Sequence, residues 1–141
     1  MNLQTRVETR GPFFSPHAPQ ALKDAMSGAV RELVQIGESE LGNQLSPQPR
    51  GVYLSVAEAR PGQASTGNYR RNISTKVTNL NGLITDGGVI YGPWLEGESS
   101  RNNTTRFKGY FTFRKTSQEL QKKSRKVFDA HLRRFVNRMN K

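Results

Sequence analysis

The chain has 141 residues, enough for one domain with a modest core and too few for two of ordinary size. It has no cysteine, which excludes a disulfide framework and thiolate metal sites, and no apolar run marks a signal peptide or a membrane span. A net charge of +11 predicts an acidic partner, while 33% hydrophobic residues and a mean hydropathy of -0.73 are low for a self-sufficient globule, so a partner is expected to complete the core.

These absences lead to the expectation of a protein made in the cytoplasm, where the sequons at Asn72, Asn102 and Asn103 carry no meaning. Residues 2–9 alternate loosely through Leu3, Thr5 and Val7 before Gly11-Pro12, the pattern of a short edge strand or an extended arm. Phe13-Phe14 are followed by Pro16 and Pro19; each proline biases its predecessor away from the α region, so the first helix begins only there. From Pro19 to Leu45 the apolar residues Leu22, Met26, Ala29, Leu33 and Ile36 recur at three and four, which predicts an amphipathic helix. Gly37 or Gly42 is expected to end or bend it before the breaker at Pro47.

Residues 51–59 fit a strand and a helical turn equally, and residues 60–67 read as a loop. Tyr69, Arg71, Ile73, Thr75 and Val77 then alternate with polar residues, which predicts a half-buried strand turned at residues 79–82. Asp86-Gly87-Gly88 is a further hairpin signal, because Gly accepts the positive φ of tight turns, and an antiparallel meander is expected. Pairing should stop near Tyr91, since Pro93 lacks a ladder donor.

Residues 89–113 hold the only Trp, two of the four Tyr and three of the seven Phe, so any core or interface should pass through them. They bracket a polar stretch, residues 97–106, with Glu98, Arg101 and Arg106 and almost nothing to bury. It is expected to be a mobile loop that orders across a neighbour. The last helix is expected at residues 116–140, capped by Thr116 or Ser117. Leu120, Val127, Phe128, Leu132, Phe135, Val136 and Met139 line its apolar face; Lys122, Lys123, Arg125, Lys126, Arg133, Arg134 and Arg138 occupy the other. From residue 114 onward ten Lys and Arg stand against Glu119 and Asp129, net +8. That face suits phosphates, solvent, or carboxylates of a neighbouring subunit.

The expected architecture is α+β in one domain over residues 1–141: an arm at 1–18, a helix at 19–45, a small antiparallel sheet and loop at 68–113, and a basic helix at 116–140. Both long helices are expected to cover one sheet face. Catalysis finds little support. His17 and His131 have no acid or nucleophile at a diagnostic spacing, and Glu96 and Glu98 flank Gly97 in a loop too flexible to hold an acid–base pair. Neither the glycines of residues 62–67 nor Gly87-Gly88 has the context of a phosphate-binding loop, so no enzyme, cofactor or metal is expected.

Thr66-Gly67-Asn68-Tyr69-Arg70-Arg71-Asn72-Ile73, then Tyr91-Gly92-Pro93-Trp94-Leu95-Glu96-Gly97, then an aromatic segment running into a terminal helix, resembles the tail-completion or head–tail connector (neck) family of long-tailed bacteriophages. The similarity covers Pro19 to the C-terminus. Two departures are Phe107-Lys108-Gly109-Tyr110-Phe111-Thr112-Phe113-Arg114, where the family often has a proline-rich run, and a longer, more polar loop after Glu96. The resemblance implies a non-enzymatic virion protein that forms a homo-oligomeric ring, sixfold in expectation, between the capsid connector and the tail. Gly67, Arg71, Tyr91, Pro93, Trp94, Leu95 and Glu96 carry the motif. Neighbouring neck and tail proteins are the implied partners, with DNA contact open and no membrane. The rival expectation is a small basic nucleic-acid-binding protein using the last helix, and a third is a small ribonuclease of the toxin type.

Overall fold

The computed structural model describes residues 11–45 and 68–140; the readings of residues 2–9, 51–59 and 60–67, and those of Pro47 and Gly67, lie outside them. The fold is α+β. After a 3-10 turn at Pro12–Phe14 come α1 (Ala18–Gln44), α2 (Asn68–Arg71), β1 (Ser74–Thr78), β2 (Asn81–Thr85), α3 (Gly92–Glu96), α4 (Arg101–Thr104) and α5 (Thr112–Met139).

Helix α1 begins with Pro19 in its first turn, where a missing N–H goes unused, and turns Ala18, Ala25, Ala29, Val34, Gly37 and Leu41 inward. It pairs antiparallel with α5, as three contacts spaced along it show. His131 Nε2 meets Glu32 Oε2 at 2.8 Å, the Lys123 ammonium lies 3.9 Å from Glu40, and Gln44 Nε2 donates to Thr116 Oγ1 at 3.1 Å. Phe13 closes the far end edge-to-face on Phe135, centroids 5.9 Å apart. Gly37 does not end α1, which runs on to Gln44. A Cβ there would lie 2.5 Å from Ile84 Cδ1 and 3.0 Å from Leu120 Cδ1, so the glycine marks the point where β2, α1 and α5 converge.

Among the described residues the sheet is one antiparallel hairpin, with Ser74 opposite Thr85 and Thr78 opposite Asn81. Its two-residue turn places Asn79 at φ 51, a region that Asn tolerates better than most side chains. Ser27 Oγ donates to Asn79 O at 3.0 Å and ties the tip to α1. The hairpin rests on α1. Between it and α5 an open apolar groove of about 510 Å³ remains, lined by Val34, Leu83, Ile84 and Leu120 among others. The expectation that both helices cover one sheet face is corrected accordingly.

Three further expectations are overturned. Residues 69–73 are not strand: Asn68–Arg71 is a helical turn closed by Asn72 N–H on Asn68 O at 3.2 Å. The period of two lost because Tyr69, 1% exposed, reaches a core cluster with Leu45 and Leu95. Asp86-Gly87-Gly88 makes no second hairpin. Asp86 Oδ1 accepts the Gly88 N–H at 3.0 Å, and the Gly92 N–H closes on Val89 O at 2.8 Å, so the chain enters α3 and leaves no room for a third strand. Finally, α5 starts at Thr112, four residues before the expected cap, and Thr116 is buried within it at 3% exposure.

Candidate functional site

Around α3 the aromatic residues form the core that composition foretold. Leu45, Tyr69 and Leu95 are its buried centre, flanked by Ile73, Val89, Tyr91, Trp94, Tyr110 and Phe113. Trp94 lies against Phe107 with centroids 4.5 Å apart, and Phe107 meets Tyr110 edge-on at 4.7 Å. The Tyr91 hydroxyl accepts from Asn68 Nδ2 at 2.8 Å. In the motif, Leu95 is buried, Tyr91 and Trp94 are half-buried and Pro93 is exposed.

Glu96 closes the motif by capping α5. Its Oε2 accepts the Phe113 N–H at 3.0 Å, and its Oε1 accepts the Thr112 hydroxyl. A carboxylate among the unpaired N–H groups of a helix start is favourable both as acceptor and as charge. The chain can reach this position because it turns tightly after α3. Gly97, at φ 83, lies so close to Gly109 and Lys108 O that a side chain would collide, and the Tyr110 N–H donates to Leu95 O at 2.7 Å.

The polar stretch after Glu96, expected to bury almost nothing, folds around a buried asparagine. Asn102 is 3% exposed; its Oδ1 accepts the Ser99 N–H at 3.0 Å, and its Nδ2 donates to Trp94 O at 2.9 Å and Phe107 O at 3.2 Å. Lys108 Nζ donates to Asn102 O at 2.8 Å. Arg101 and Arg106 remain exposed on this lobe, and Arg71 is exposed at the end of α2.

Beside α3 a pocket of about 350 Å³ is lined by Tyr69, Ile84, Thr85, Asp86, Gly92, Pro93, Glu96, Glu98 and Phe113. It contains three carboxylates and no Lys or Arg, in a chain whose net charge is +11. Tyr69 lines it, and its hydroxyl is buried beside the Glu96 carboxylate without a well-formed hydrogen bond among the described residues. Burial first, then the nearby charges of Glu96 and Asp86, raise the phenol's pKa far above its ordinary value and keep it neutral. Sequence reasoning noted Glu96 and Glu98 but read Asp86 as a turn residue. Nothing in the chain order signalled that Tyr69 would join them.

Lys122, Lys123, Arg125, Lys126, Arg133, Arg134 and Arg138 are all exposed along α5. Lys122 pairs with Glu119 at 2.6 Å, and this hydrogen bond holds the Glu119 carboxyl below its ordinary pKa; Arg125 lies 4.0 Å from Asp129. Lys126 and Arg133 share a shallow concavity with Lys122, Arg125 and Asp129. His131 sits between the helices on Glu32, while His17 precedes the first turn of α1, so the structure does not bring the two histidines together. Among the described residues no group of three or more His, Cys, Asp or Glu is placed to hold a metal ion, and no helix is long and apolar enough to cross a membrane. No family model, curated protein or solved structure matches the chain.

Proposed function

We propose that this chain is a structural virion protein of a tailed bacteriophage, assembled in the host cytoplasm as a ring at the head–tail junction, where it joins the tail to the capsid connector. The observation that carries the reading is the sequence Tyr91-Gly92-Pro93-Trp94-Leu95-Glu96 placed between a small sheet and a long terminal helix, the order found in the neck family it resembles. The α+β arrangement and the low apolar content support it, since a subunit finished by assembly needs less core of its own. In this role no chemistry is required. A ring multiplies weak contacts, and avidity makes the joint firm.

The exposed cations of α5 favour a second reading, a nucleic-acid-binding protein whose last helix lies on phosphates. One measurement separates the two: the mass of the purified protein by light scattering across concentration and salt, with and without duplex DNA. Ring formation without DNA is the outcome expected. A monomer that binds DNA tightly, with affinity falling steeply as salt rises, overturns the neck reading in favour of the second.

A further inference from the structure

We infer that the groove between the hairpin and α5 is the acceptor for a third strand, residues 2–9 of a second copy of this chain. The inference rests on the ring reading and names the contact that joins neighbouring subunits.

The acceptor is built from backbone as well as side chains. The groove of about 510 Å³ is lined on one side by Gly82, Leu83 and Ile84 of β2 and on the other by Phe113 and Leu120 of α5, and no residue of β1 reaches it. It therefore runs along the edge of β2 that β1 leaves free. Thr78 and Asn81 flank the two-residue turn as a hydrogen-bonded pair, and the alternation of an antiparallel ladder then turns the N–H and C=O of Gly82 and Ile84 away from β1. These groups have no partner among the described residues. Gly82 is exposed even though a Cβ on it would collide with Val34, so what it shows to solvent is its backbone. The edge also lacks the usual protection: Asn81-Gly82-Leu83-Ile84-Thr85 has no charge and no proline, whereas β1 carries Lys76.

The occupant follows from the pattern such a site takes. An added strand puts apolar side chains into the groove at every second position and polar ones outward. Leu3, Thr5 and Val7 alternate with Gln4, Arg6 and Glu8, so residues 2–9 supply that pattern. Antiparallel pairing with Thr5 opposite Ile84 sets Val7 opposite Gly82, where no side chain competes for the space. The donor is a second copy because of what the segment carries with it. It leads through Arg10 and Gly11 into Phe13 and Phe14, which are exposed, as are Leu80 and Leu83 at the groove. Within one chain all four are already in place and all four stay exposed; a second copy brings its phenylalanines onto these leucines as its arm enters. Arm and groove are different surfaces, so the contact is head-to-tail and, with a closing rotation, makes a ring.

The chain has no cysteine, so a disulfide reads the contact directly. Arg6 and Leu83 fall opposite each other in a non-hydrogen-bonded pair, whose Cα separation suits a disulfide. Full-length Arg6→Cys and Leu83→Cys, each checked for wild-type helix content by circular dichroism, are mixed in equal amounts, oxidised and run on a non-reducing gel, with Asp129→Cys replacing Leu83→Cys as the control. The mixture is expected to give about tenfold more covalent dimer than the control, and the double variant Arg6→Cys/Leu83→Cys a ladder of covalent oligomers. Closure within single chains of the double variant overturns the second copy as donor. If Leu83→Cys stays at the control level with Arg6→Cys, and also with Gln4→Cys and Glu8→Cys, while the wild type forms a ring, the strand addition is overturned and the ring reading stands. A wild-type chain that stays monomeric at every concentration and salt overturns both. Leu3→Asp/Val7→Asp, which alters no residue of the described fold, is expected to weaken self-association by about 100-fold or more; assembly equal to the wild type overturns the docking.

Discussion

Glu96, the last residue of α3, accepts the backbone N–H of Phe113 at 3.0 Å, 17 positions along the chain. This bond, with that of Thr112 to the other oxygen, joins the aromatic motif to the start of α5. Phe111, just before the helix, is at φ 57, a conformation its bulk disfavours, and the cap holds the chain in it.

Glu96→Ala is therefore expected to cost about 2–3 kcal/mol, the worth of hydrogen bonds to a charged group. Denaturant melts of Glu96→Ala, Thr112→Val and the double variant should show coupling of about 0.5–3 kcal/mol between the two. Additive losses would show that Glu96 stabilises α5 without Thr112.

Gly37 and Gly42 lie on the same helix and should answer an alanine in opposite directions. At Gly37 the new methyl meets Ile84 and Leu120 and is expected to cost about 1–3 kcal/mol. At Gly42 the nearest atom is Arg70 Nη2 at 3.9 Å, so Gly42→Ala should gain up to about 1 kcal/mol from helix propensity. Thermal melts of the two variants read the sign directly.

Removing the Tyr69 hydroxyl takes away a buried polar group that makes no well-formed hydrogen bond among the described residues. Monomeric Tyr69→Phe is expected to match or exceed the wild type in stability, by up to about 1 kcal/mol. The folded state keeps the phenol proton that the unfolded chain loses near its ordinary pKa of 10.0. That contribution is present below about pH 10 and is lost progressively as pH rises beyond it, so wild-type stability should fall faster than that of Tyr69→Phe in alkali. Urea melts from pH 8 to pH 11 on both proteins check the difference.

Asn102 makes the lobe after α3 a folded element. Asn102→Ala removes the hydrogen bonds to Trp94 O and Phe107 O and that from the Ser99 N–H; the Gly97 N–H, the Thr105 hydroxyl and Pro93 O still serve those groups, so the loss should be about 1–3 kcal/mol. Hydrogen exchange should rise throughout residues 99–107, while α1 keeps its protection. Loss of protection in both at once would mean that the lobe and the helices unfold as one unit.

What was legible from the chain were the features set by repetition and concentration. The three-and-four spacing of Leu22, Met26, Ala29 and Leu33 is enough for α1, and the apolar face of α5 announces itself in the same way. The clustering of Trp94, Phe107, Tyr110 and Phe113 placed the core, because large apolar surface must be buried somewhere. The turn after β1 was readable at Asn79, a residue type that suits it, although it closes in two residues and Asn81 and Gly82 already pair in β2.

What the tertiary structure alone decided were relationships between residues far apart in sequence. Tyr69 alternates like a strand residue but belongs to a helical turn, because burial beside Leu45 and Leu95 outweighs a local period. Asn102 looked like a loop residue, yet its amide satisfies two carbonyls and a backbone N–H that only the fold assembles. Nor could chain order show that Asp86, Glu98 and Tyr69 share one pocket: side-chain type gives the chemistry available, and only the path of the backbone determines which groups meet.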